Sequence, residues 1–202
     1  MTVDNRVGSS IDGEWLSFTD PVEVISTSDI GDIVGLLADL ESRVEQEKLF
    51  AAGFISYEAS PAFDNALTAS KKPSLPLLCF GLFKTVQSLD QPPVEEGDFQ
   101  LGEWRQPDSK DYYVSQLAKI KKRIRAGDTY QVNYTFTRKA IYNGNPKILF
   151  SQFAKNAPYA AYLEMDDFVI CSASPELFFT RTGSTLTTKP MKGTLPRGLT
   201  ED

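Results

Sequence analysis

Apolar and polar positions alternate along much of this chain, and the period lengthens only where helices are expected. Residues 10 to 26 alternate loosely, with Trp15, Phe18, Val22, Val24 and Ile25 as apolar points and Asp12-Gly13 as a turn, which predicts a strand pair. Ile33, Leu36, Leu37, Leu40 and Val44 then follow helical spacing. Asp29 or Asp32 is placed to cap that helix, and charged residues fill its other face up to Lys48. Leu49 to Tyr57 reads as a buried strand in which Gly53 marks close approach of a neighbouring backbone. Glu58 to Asp64 is a turn or short helix, Asn65 to Lys72 a loop, and Leu75 to Val86 a central strand. Ser88 to Gly97 carries Pro92, Pro93, Glu95 and Glu96 and is the best linker candidate. It divides an amino-terminal α+β region, residues 1–98, from residues 99–202.

The second half opens with a short strand around Phe99, Leu101 and Trp104 and then the strongest helical pattern. Ser109 can accept an N–H at its start, Tyr113, Leu117, Ile120 and Ile124 form one stripe, and Gly127 ends it. Lys119, Lys121, Lys122, Arg123 and Arg125 crowd its last turns, where they complement the carbonyl end of the helix dipole; this explains them better than anion binding does. Gly127 to Phe136 alternates as a strand, Gln131 and Asn133 on one face, Tyr130, Val132 and Tyr134 on the other. Buried amides need partners, so structural hydrogen bonding is the expected use of that polar face. Lys147 to Lys155 reads as a short helix ending before Ala157-Pro158. Two hairpins follow: Tyr159 to Met165 with Phe168 to Ser172, turning at Asp166-Asp167, and Glu176 to Arg181 with Ser184 to Lys189, turning at Thr182-Gly183. The predicted fold class is α+β, mainly antiparallel sheets packed with helices.

Composition narrows the classes of function. The 202 residues carry a net charge of −6, with no long basic face, which argues against nonspecific nucleic-acid binding. Hydrophobic content of 41% is enough for a packed core, yet no apolar run approaches a membrane span. The two cysteines, Cys79 and Cys171, lie in apolar runs far apart and are expected to be buried free thiols. The first residues lack the regions of a signal peptide, so a soluble, cytoplasmic protein is expected. With no histidine, histidine triads and histidine metal ligation are excluded within this chain.

Against that acidic background, Thr188 to Gly198 holds Lys189, Lys192 and Arg197 with no acid among them. Pro190, Gly193, Pro196 and Gly198 make it a shaped loop leaving a strand. Gly193 can let a ligand approach the backbone, and Thr194 adds a hydroxyl and an N–H. A small anion could be gripped there, although lysines in turns are most often simply solvated.

Lys189-Pro190-Met191-Lys192-Gly193-Thr194-Leu195-Pro196-Arg197-Gly198 resembles the signature of the chorismate-binding enzymes, in the form of the aminodeoxychorismate synthase component I branch. Gly127-Asp128-Thr129-Tyr130-Gln131-Val132-Asn133 and Ser174-Pro175-Glu176-Leu177-Phe178 agree with it, in the right order. Gly53 to Ala59 with Pro61-Ala62-Phe63-Asp64 resembles the amino-terminal region of the same branch, so the resemblance covers essentially the whole chain.

The resemblance implies a role for Lys192 as nucleophile toward C2 of chorismate, with Gly193 and Thr194 contacting substrate oxygens. Ammonia from a partner glutamine amidotransferase would then give 4-amino-4-deoxychorismate, in folate and para-aminobenzoate synthesis. Lys192 counts against anthranilate synthases, which hold a small residue there; isochorismate synthases also carry a lysine. A non-catalytic binding module that keeps a relic loop is the alternative from another class. By the same resemblance, a tryptophan pocket would involve Ser9 or Ser10 with Pro158, Tyr159 and the Ser-Pro-Glu-Leu-Phe strand. The competing reading is ordinary core packing for Tyr159 and Phe178. The resemblance also implies Mg2+, held by glutamates beyond Asp202, so residues 99–202 are expected to be an incomplete catalytic domain and this chain the amino-terminal portion of the enzyme. No turnover is expected from it alone.

Overall fold

A computed structural model describes residues 7–11, 14–70, 73–90, 95–106, 108–191 and 193, with backbone alone for 7–11 and 14. In chain order the elements are β1 (Val7–Ile11), β2 (Glu14–Phe18), β3 (Glu23–Thr27), α1 (Ile33–Glu47), β4 (Phe50–Ile55), a 3-10 turn (Tyr57–Ala62), β5 (Leu78–Phe83) and β6 (Gln87–Leu89). There follow β7 (Gln100–Leu101), α2 (Lys110–Ala126), β8 (Tyr142–Asn143), α3 (Pro146–Ala154), β9 (Tyr159–Glu164), β10 (Val169–Ser174), β11 (Leu177–Thr182) and β12 (Thr185–Lys189). Among the described residues every strand pairing is antiparallel, and helices and small sheets mix as an α+β fold does. The chain divides into two compact units, Met1–Glu96 with Pro146–Asp202, and Gly97–Asn145.

The first unit is layered. A five-stranded sheet runs β10-β9-β1-β2-β6 and a three-stranded sheet runs β3-β5-β4. Period-2 alternation sends each strand's side chains to two different neighbours. Leu78 and Leu82 of β5 pack with Ile33 and Leu40 of α1, while Phe83 meets Phe18 and Leu163 from the five-stranded sheet. On that sheet's other face, Trp15, Ala160 and Tyr162 pack with Phe150 and Ala154 of α3. The order is therefore α1, three-stranded sheet, five-stranded sheet, α3. β5 lies between apolar layers, which is why its sequence is apolar at every position.

Gly53 does what its place in the pattern predicts. It pairs with Phe80 across β4 and β5, and an added Cβ would collide with the Cys79 carbonyl oxygen and fall 2.6 Å from Phe80 Cα. Asp32 occupies the cap position of α1, but its carboxylate accepts from Thr27 Oγ1 (3.0 Å) instead of from the helix. Lys48 closes α1 in the left-handed region at φ 57°.

Several expectations are corrected. The strand pair expected over residues 10–26 is present in part: β1 and β2 pair through Ser10↔Trp15 and Ile11↔Glu14, the turn expected at Asp12-Gly13 lies outside the described residues, and β3 joins the other sheet beside β5. The 49–57 strand is only partly buried, because β4 is an edge strand, and Phe50, Ile55 and Tyr57 are exposed. Ser88 and Leu89, within the expected linker, complete β6 and pair with Leu16 and Trp15.

In the second unit α2 is built as its caps predict. Ser109 Oγ accepts from the Tyr112 N–H at 3.2 Å, and Gly127, at φ 80°, donates its N–H to the Ile124 carbonyl at 3.1 Å. No residue of α2 is buried. Its stripe gathers aromatic neighbours instead, with Tyr113 ring centroids 5.5 Å from Tyr134 and 6.0 Å from Phe136. The strand expected at 127–136 is absent: the segment pairs with no strand among the described residues. Local bonds take the place of a ladder, Thr129 Oγ1 donating to the Gln131 carbonyl (3.0 Å) and Gln131 Nε2 to Asn133 Oδ1 (3.2 Å).

Candidate functional site

Two of the motif segments and Tyr159, a candidate pocket residue, meet at one corner of the first unit. Tyr159 opens β9 and pairs with Ser174, the last residue of β10. Ser174 Oγ accepts the Glu176 N–H (3.2 Å) and donates to the Glu176 carbonyl (3.0 Å), which turns the chain through Pro175 into β11. Leu177, first in β11, pairs with Lys189, last in β12. The Lys189 ammonium then returns over the Tyr159 ring, 5.8 Å from its centroid. The path from Tyr159 through Ser174 and Leu177 to Lys189 is thus closed, and Pro190 and Met191 leave from it.

Of the residues singled out in that loop, Lys192 and Thr194 lie outside the described residues. Gly193 is exposed, and a Cβ built on it would meet nothing within 4 Å. Met191 is likewise exposed. Ser10 sits on β1, which pairs with β9 through Ser9↔Ala161, so the strand of Ser9 and Ser10 lies beside the strand of Tyr159. Tyr159 is half-buried and Pro158 exposed at its start. Phe178 is 85% exposed, which rules out core packing for it: it belongs to a two-stranded ribbon whose faces no described sheet covers. Its ring touches Phe179 instead, at 5.1 Å between centroids.

A polar cluster lies under α3. Lys147 Nζ stands 3.3 Å from Glu164 Oε2 and 3.9 Å from Glu95 Oε1, and Ser151 Oγ accepts the Glu95 N–H at 3.1 Å. Burial, and then the Glu164 charge, push the Tyr162 hydroxyl well above the ordinary phenol value. The same two causes push the Cys171 thiol up to about 11. Both cysteines are free. The cluster ties α3 to β9. In the second unit, α2 and the Gly-Asp-Thr-Tyr-Gln-Val-Asn segment border a cavity of about 650 Å³. Arg123 on its wall is paired with Asp128 at 2.9 Å, and Lys119 lines the same cavity.

Among the described residues no three His, Cys, Asp or Glu side chains stand close enough together to hold a metal ion, so the implied magnesium finds no ligand set among them. Nor, among them, is any helix long and apolar enough to cross a membrane. Sequence reasoning found the segments of the corner but not the Lys189–Tyr159 contact. The two residues are thirty positions apart, and no spacing rule joins them.

The family described as chorismate binding enzyme matches residues 16–202. The chain belongs to that family. Aminodeoxychorismate synthase component 1 of Escherichia coli (strain K12) is 35% identical to this chorismate binding enzyme over 103 residues, 50% of this chain and 23% of that protein. The protein of the same name from Bacillus subtilis (strain 168) is 34% identical over 119 residues, 58% and 24% of the two chains. Anthranilate synthase component 1 1 of Haloarcula marismortui is 33% identical over 117 residues, 57% and 23%. Each match thus spans less than a quarter of the relative's length. Identity at this level does not separate the two activities.

Proposed function

We propose that this chain belongs to an aminodeoxychorismate synthase component 1 and supplies its nucleophile, Lys192. The observation that carries the reading is a lysine inside Lys189–Thr194, at the position where the resemblance gives anthranilate synthases a small residue. A lysine attacks only as the neutral amine. The Lys192 nitrogen adds to C2 of chorismate, the conjugated double bonds shift, and the C4–O bond breaks, the hydroxyl leaving with a proton as water. Ammonia next forms a bond to C4, the double bonds shift back, and the C2–N bond to Lys192 breaks. The net change is hydroxyl for amine, giving 4-amino-4-deoxychorismate and water.

In this reading Gly193 and Thr194 offer N–H and hydroxyl donors to substrate oxygens, and a glutamine amidotransferase supplies the ammonia. Magnesium is implied by resemblance alone, and the chemistry assigned to Lys192 does not run through it. A tryptophan pocket at Ser10, Pro158 and Tyr159 is compatible with the adjacency of β1 and β9. The Haloarcula relative favours a second reading, amination at C2 to anthranilate, against which Lys192 stands.

The test is mass analysis of the protein after incubation with chorismate. An adduct on Lys192 that is abolished in Lys192→Ala is expected, and its discharge by ammonium as 4-amino-4-deoxychorismate is expected of the complete synthase. An adduct that persists in Lys192→Ala, or none in the unaltered protein, overturns the nucleophile; anthranilate as product favours the second reading.

A further inference from the structure

The ribbon that carries the loop has little to hold it. β12 is exposed at all five positions, its pairing with β11 is interrupted by an irregularity between Leu177 and Thr180, and two-stranded ribbons are marginal on their own. At its far end, Lys189 reaches over the ring of Tyr159, a half-buried residue of the packed five-stranded sheet. Pro190 follows at once and fixes one backbone angle of the exit. From these observations we infer that Lys189 is a positioning residue: its ammonium, seated on the Tyr159 ring, anchors the ribbon end and sets the direction in which the chain leaves toward Lys192.

The inference rests on the role proposed for Lys192 and adds a residue to it. An ammonium held on an aromatic face keeps its charge while giving up conformational freedom, so it serves as a fixed point. Two residues, Pro190 and Met191, separate this point from Lys192, and a small displacement of a nucleophile is enough to slow capture of a bound electrophile. Lys189 touches no reacting atom in this scheme. Its influence passes through Tyr159.

The test has two arms. The first is the chemical shift of the Lys189 ε-methylene protons. The ring places them upfield in the unaltered protein and in Tyr159→Phe, and they return to ordinary lysine values in Tyr159→Leu. Ordinary values in the unaltered protein overturn the anchor, whatever Lys192 does.

The second arm is the rate of chorismate capture at Lys192. It falls about tenfold in Lys189→Met and in Tyr159→Leu, the scale of one cation–aromatic contact, and stays within about twofold in Lys189→Arg and Tyr159→Phe. The conservative pair also separates positioning from a general loss of folding, since each keeps the contact. Equal capture in all four variants removes the positioning role and leaves Lys192 as nucleophile. No capture in the unaltered protein removes the nucleophile, and the inference falls with it.

Discussion

The two hairpins at the end of the chain look alike as sequence and differ as structure. β9 and β10 turn at Asp166-Asp167, and Met165 N–H bonds the Phe168 carbonyl at 3.0 Å. β9 then gains β1 on its other edge, α3 on the face of Ala160 and Tyr162 and the three-stranded sheet on the face of Leu163, so all three are buried. β11 and β12 turn at Gly183, whose φ of 60° suits a tight reversal, and gain no third strand among the described residues. Phe178 and Leu186 consequently remain exposed. Alternation therefore specifies that a segment is a strand. Burial is decided by what the rest of the chain brings to its edges and faces, which alternation does not encode.

The largest effect that would sharpen this contrast lies under the first hairpin. Phe150 is 1% exposed and packs edge-on against Trp15 at 6.0 Å and obliquely against Tyr162 at 5.4 Å. Removing its ring leaves a cavity between α3 and β9. Phe150→Ala is expected to lower stability by about 3–5 kcal/mol, read from urea unfolding. A loss below about 1 kcal/mol would mean that α3 is not packed on the sheet as described.

How much could be read in advance follows from the same distinction. The caps of α2 at Ser109 and Gly127 and the turn at Asp166-Asp167 are local, and local chemistry announced them; the glycine at 53 announced a close approach without naming Cys79 and Phe80 as the neighbours. The pairing of β1 with β9 joins Ser9 to Ala161 across most of the chain, and nothing near either residue signals it. The failed strand at 127–136 is the complementary case, since its alternation is sound but among the described residues no strand pairs with it. The candidate site divides in the same way. Its motifs name Tyr159, Ser174 and Lys189 separately, while their meeting at one corner is a consequence of two hairpins and one turn.

A middle-sized effect probes burial chemically. Cys171 lies on β10, and burial first, then Glu164, raise its thiol to about 11. Only the thiolate alkylates, so at pH 8 iodoacetamide should modify Cys171 about 100-fold more slowly than an ordinary exposed thiol. A thiol introduced on the ribbon by Phe178→Cys supplies that reference in the same molecule, with peptide mass analysis separating the sites. The sign for stability is fixed too. The folded state keeps the Cys171 proton at pH values where the unfolded chain has lost it, so this group's contribution is complete below the ordinary thiol range. It declines as pH rises toward about 11. Equal alkylation rates at the two sites would place β10 outside the packed layer.

The smallest expected effect is the most discriminating about the ribbon. Phe178→Ser removes a large aromatic side chain, which in a core would be severe. Here the ring is 85% exposed and has Phe179 as its aromatic neighbour, at 5.1 Å. Little apolar area returns to water on unfolding, and polar substitutions at exposed positions usually fall within about 0.5 kcal/mol. Urea unfolding of Phe178→Ser should therefore stay within that range of the unaltered protein, with an unchanged denaturant slope. A loss of about 2 kcal/mol or more would show that Phe178 is covered in solution. The ribbon would then resemble the first hairpin, and the contrast between them would disappear.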